Sequence, residues 1–140
     1  MDSKGSPVTT ADRRILTTVA WLAIGFVVPF WVLALTGVAP IFEVIPGHVR
    51  HTMPFFFSDA WVAWRAALLL RSLRRPEDHR VREEALLLGG MFVPFGLYEL
   101  AYGLQSGLLF RPPSASAIDW IATAFLLTAG PWLLRVGRKS

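Results

Sequence analysis

Residues 85–104 read ALLLGGMFVPFGLYELAYGL, an apolar run interrupted by a single charge at Glu99. Coiled as a helix, the run is ~30 Å long, the thickness of a bilayer's hydrocarbon layer. Helical spacing sets Leu88, Phe92 and Glu99 along one side, with Gly89, Gly96 and Gly103 on one flank and Phe95 and Tyr102 on the other. Glycines at that spacing let a second helix approach closely, which turns Glu99 toward protein and away from lipid. A carboxylate among acyl chains costs several kcal/mol unless it is paired or wetted. Glu99 is therefore either a structural acid with a basic partner or a functional one.

Three more runs of the same character, residues 15–39, 54–73 and 117–134, flank this one. The expected fold is all-α, an integral membrane four-helix bundle. Residues 1–14 are expected to form a flexible cytoplasmic tail, 15–135 the four-span bundle, and 136–140 a basic cytoplasmic tail. Composition agrees: with 54% hydrophobic and 17% charged residues, a soluble domain of 140 residues would have more apolar surface than it could bury. The first run is longer than a secretory signal core and reads as a retained anchor. Cysteine is absent, which excludes disulfides, thiolate metal sites, covalent haem attachment and cysteine nucleophiles.

Orientation follows from the short basic segments. Lys4, Arg13 and Arg14 precede the first run, Arg71, Arg74, Arg75, Arg80 and Arg82 follow the second, and Arg135, Arg138 and Lys139 follow the fourth. The other two connections carry only Arg50 and Arg111. Both termini and the middle loop, residues 74–84, are thus expected on the cytoplasmic side of a multi-pass protein of the plasma (inner) membrane. Arginine far exceeds lysine, which fits a GC-rich bacterial genome and contact with anionic headgroups at the inner face. In the middle loop Pro76 ends one helix, and Glu77 and Asp78 suit the positive start of the next. Prolines inside the runs, Pro29, Pro94 and Pro131, free the carbonyls of Gly25, Gly90 and Leu127 and are expected to kink their helices.

Apart from Arg71 at the inner end of the second run, the other charged residues in the runs are Asp59, Arg65 and Asp119. Arg65, near the middle of the second run, is the expected partner of Glu99, its long side chain bridging the offset between the two levels. Asp59 follows the interfacial aromatics Phe55, Phe56 and Phe57 and can be read either as a helix cap or as a pocket acid. Asp119 closes an S-x-x-D pattern from Ser116, which favours a cap. Under the expected topology all three acids nevertheless fall in the outer half of the bundle. They would rim a pocket with Arg65 at its floor and Trp61, Trp64, Tyr98, Tyr102 and Trp120 nearby, suited to an amphiphile with a polar or cationic group.

Three functional classes fit. The first is small-molecule binding with acid–base chemistry of the isomerase or cyclase type, Glu99 and Asp59 being the catalytic candidates and Arg65, Trp61, Trp64, Tyr98, Tyr102, Asp119 and Trp120 the ligand contacts. The second is a noncatalytic subunit or scaffold of a homo- or hetero-oligomer, docked through the glycine groove and the Arg65/Glu99 pair. The third is a small proton-coupled transporter, disfavoured by the lack of ionisable residues in the first run and of any internal repeat. His48 and His51, with Glu43 or Asp59, have only loose metal-ligand spacing, and neither a metal nor another cofactor is expected. No Walker loop, Rossmann fingerprint, zincin motif or nucleophile elbow is present, and nothing points to nucleic acid.

Overall fold

The structure, a computed structural model, describes residues 7–38, 47, 50, 52–76 and 78–139. Four helices carry the fold: α1 (Thr10–Leu35), α2 (Phe56–Leu73), α3 (Asp78–Gln105) and α4 (Pro113–Arg138). Single 3-10 turns at Met53–Phe55 and Leu108–Phe110 precede α2 and α4, and no strand occurs among the described residues. Helix α1 starts earlier than the apolar pattern implied, because Thr9 caps it by accepting from the Asp12 amide at 3.0 Å. Residues 10–14 therefore belong to the first helix. The same helix stops at Leu35, short of residue 39. Gly37 adopts φ +75°, and the amides of Gly37 and Val38 return to the carbonyls of Ala34 and Leu33, a Schellman ending that glycine permits.

Helix α3 likewise begins seven residues before its apolar run, with Asp78 in its first turn. Most of the expected middle loop is thus helical, and Val81, Glu84 and Ala85 are buried. Pro29, Pro94 and Pro131 all sit inside continuous helices and break none of them.

Neighbouring helices run antiparallel. Trp31 on α1 meets Asp59 near the start of α2, while Arg13, near the start of α1, donates to the Leu73 carbonyl at the end of α2. Helices α3 and α4 pack most closely, and glycine is the reason. An ideal Cβ built at Gly89 would stand 2.8 Å from the Gly130 carbonyl oxygen, and one at Gly137 would stand 2.9 Å from the Arg82 oxygen. The groove of Gly89 and Gly96 therefore receives α4 of the same chain, and Gly103 receives Leu109.

The main core draws Leu16, Val19, Ala20 and Ala23 from α1, Val62, Ala66 and Leu69 from α2, Val81, Ala85, Leu88 and Phe92 from α3, and Ala129, Leu133 and Val136 from α4. These residues lie toward the end of the bundle where α1 begins and α4 ends. At the other end a smaller cluster of Trp31 and Ala34, with Phe56 against it, replaces them. Polar bonds fasten the terminal end: Arg13 pairs with Asp78, the Val8 amide donates to Asp78 at 3.2 Å, and Lys139 reaches Asp12 at 3.1 Å.

Helices α1, α3 and α4 are long and apolar enough to cross a membrane. Helix α2, at 18 residues, carries Asp59, Arg65 and Arg71.

Candidate functional site

Asp59 of α2, Glu99 of α3 and Asp119 of α4 converge away from the main core. All three side chains are half-buried, and Glu99 lies within electrostatic range of both other carboxylates. Neither aspartate is a helix cap. Helix α2 starts from Phe55 without a side-chain cap bond, and Asp59 sits in its first turn as acceptor of the Trp31 indole N–H at 2.8 Å. Helix α4 starts at Pro113, so Ser116 is already helical and donates back to the carbonyls of Arg111 and Pro112. Asp119 then falls in the second turn, beyond reach of a capping box.

Arg65 does not join them. Its Nη1 pairs with Glu84 Oε1 at 3.3 Å, and its guanidinium lies 5.3 Å from the centre of the Trp61 ring. Glu84 and Glu99 are fifteen residues apart on one helix, ~22 Å along its axis, so one arginine cannot serve both. The expected Arg65–Glu99 pair is corrected to Arg65–Glu84. Its cause is helix length: α3 extends well beyond α2, and aligning their ends at the short 74–77 connection puts Arg65 level with the start of α3. Mean hydropathy puts Glu84 in the 74–84 connection and not on a helix. Carrying the buried spacing of Leu88 and Phe92 backward through Ala85 and Val81 brings Glu84 onto the inward side of the helix.

The ion pairs between described residues, Arg13–Asp78, Arg65–Glu84 and Lys139–Asp12, all lie away from Glu99. What stands beside the acids is aromatic. Phe55 packs on Tyr98 with ring centres 4.6 Å apart, Tyr98 stacks on Tyr102 at 6.3 Å, and Trp31 meets Phe56 edge-on at 5.0 Å. Trp31 and Phe55 were not anticipated as site residues, since interfacial aromatics carry no signal of their own in sequence. Trp120 donates its indole N–H to the Leu109 carbonyl at 3.1 Å and so braces the turn before α4. Trp64 is 63% exposed and points out of the bundle, and Trp61 belongs with Arg65.

Carboxylates from three helices thus stand beside electron-rich rings, and among the described residues no ion pair reaches Glu99. Among the described residues no group of His, Cys, Asp and Glu has the geometry to hold a metal ion. Glu43, His48 and His51 lie outside the described residues. Comparison with protein-family models, with curated proteins and with solved structures finds no match to this chain.

Proposed function

We propose that the chain is a four-crossing protein of a bacterial plasma membrane with cytoplasmic termini, and that its outer end binds a hydrophobic or amphiphilic small molecule through a polar, preferably cationic, group. The observation that carries this reading is the convergence of Asp59, Glu99 and Asp119 beside Phe55, Tyr98 and Tyr102. Glu99 and Asp59 are the residues that exchange a proton with the bound molecule if it is turned over by isomerisation or cyclisation. Trp31 holds Asp59 in place.

Three features support the membrane reading. Apolar side chains face outward on every side, including Leu35, Trp64 and Ile121 at 64%, 63% and 68% exposure, far more than a soluble monomer shows. Helix α2, though it carries three charges, returns the chain from the level of Trp31 to that of Arg13, so it crosses whatever α1 crosses. Its Arg65 is screened by Glu84 and Trp61. A scaffold role is the second reading, but the glycine groove that would dock a partner is filled by α4.

The test is binding of a fluorescent alkyl-trimethylammonium amphiphile, against an alkyl sulfate of equal chain length, to the protein in nanodiscs. Wild type should prefer the ammonium probe, and Glu99→Gln and Asp59→Asn should each weaken it about tenfold, as loss of one charge-assisted contact predicts. Equal binding of the two probes, or indifference to both substitutions, refutes the site. Because cysteine is absent, Ser3→Cys and Ser106→Cys report sidedness by labelling of intact cells. Residue 106 should be labelled from outside and residue 3 only after lysis.

A further inference from the structure

At the end of the bundle opposite the acids, Pro131, Leu134, Arg135, Arg138 and Lys139 line an open groove of about 410 Å³. The spacing puts Pro131, Leu134, Arg135 and Arg138 on one stripe of α4. The neighbouring stripe, Gly130, Leu133 and Gly137, is the one packed against α3. The groove therefore opens outward, with Pro131, Arg135 and Arg138 exposed.

Its charge is uneven. Lys139 is held by Asp12 at 3.1 Å, whereas neither Arg135 nor Arg138 takes part in an ion pair between described residues. Two guanidiniums with no ion-pair partner among the described residues thus stand over an apolar floor made by Leu134 and Pro131. A guanidinium fork matches two phosphate oxygens, and the floor matches the first methylenes of an acyl chain. Charge and shape together select one occupant. We propose that this groove is a binding site for an anionic glycerophospholipid of the adjacent leaflet, its phosphate held by Arg135 and Arg138 and its chain laid along Leu134. The proposal shares with the functional reading only the premise that the bundle lies in a membrane.

The experiment is native mass spectrometry of the full chain released from nonionic detergent, titrated with dioleoyl phosphatidylglycerol or dioleoyl phosphatidylcholine. Wild type should retain the anionic lipid and shed the zwitterionic one. Removing both guanidiniums in R135Q/R138Q should weaken retention about thirtyfold, from the usual contribution of two basic residues near an anionic surface. R71Q/R74Q removes two exposed charges elsewhere on the same end of the bundle and should change retention less than threefold if the site is local. Leu134→Trp fills the groove with every charge in place and should also release the lipid, which keeps the test decisive if R135Q/R138Q fails to fold. Equal loss in R71Q/R74Q, equal retention of both lipids, or full retention by Leu134→Trp overturns the proposal. Displacement by millimolar inorganic phosphate overturns it too, because a lipid held also by its chain is not released by a free anion.

Discussion

Gly89 and Gly90 are adjacent in sequence yet face different surroundings, and alanine at each should produce opposite results. At Gly89 an added Cβ stands 2.8 Å from the Gly130 oxygen, 2.9 Å from Leu133 Cβ and 2.9 Å from the Leu134 nitrogen. Carbon contacts are comfortable at ~3.5–4.0 Å, so each of these neighbours must retreat. Two of the three are backbone atoms, which no rotamer change can move, and α4 itself must shift away from α3. Overpacking of this kind costs ~1–3 kcal/mol, and the rigid neighbours put Gly89→Ala near the upper figure. Alanine's helix preference over glycine returns ~1 kcal/mol, leaving a net loss of ~2 kcal/mol. At Gly90 no heavy atom lies within 4 Å, so only the propensity gain of up to ~1 kcal/mol remains. The two variants should therefore differ by ~3 kcal/mol, about a hundredfold in the unfolding equilibrium. Reversible unfolding in mixed micelles with rising dodecyl sulfate, followed by far-UV circular dichroism, measures the difference. Stabilities within ~0.5 kcal/mol of each other, or Gly90→Ala as the weaker variant, would refute the assignment of this groove to α4.

Other substitutions probe the remaining contacts. Glu84→Leu strands the Arg65 guanidinium at the α2–α3 interface and should cost ~3 kcal/mol, while R65M/E84L should come within ~1 kcal/mol of wild type, because an imperfectly satisfied pair contributes little net stability; additive losses in the same unfolding assay would contradict this. Trp31→Phe removes the donor to Asp59 and should cost ~1–2 kcal/mol while weakening ammonium-probe binding, which nanodisc titration reads out. Thr9→Ala removes the cap of α1 and should cost ~1 kcal/mol, with faster amide exchange at Asp12 as the local signature.

How much of this was legible beforehand differs from residue to residue. The period of Gly89, Gly96 and Gly103 foretold close helix contact, and α4 and the turn before it supply the partner atoms. Apolar runs placed the helices but not their ends. Amphipathic turns such as 78–84 carry arginines and glutamates on one side and Val81 and Glu84 inside, so mean hydropathy ends too early there. Glu84 falls in that stretch. Asp119 reads as a cap because S-x-x-D is a local pattern, and local patterns are overruled when a proline begins the helix upstream, as Pro113 does.

Run length, glycine period and the clustering of arginine are one-dimensional properties, and they point to an all-helical bundle of four apolar segments, of which α1, α3 and α4 are long and apolar enough to cross a membrane. Which charge meets which is not one-dimensional. Arg65 finds Glu84, and Glu99 is left with Asp59 and Asp119, because the 18-residue α2 and 28-residue α3 are aligned at the short connection between them. At ~1.5 Å per residue, a shift of one turn in that alignment moves every polar side chain to a new neighbour, and no pattern along the chain records it.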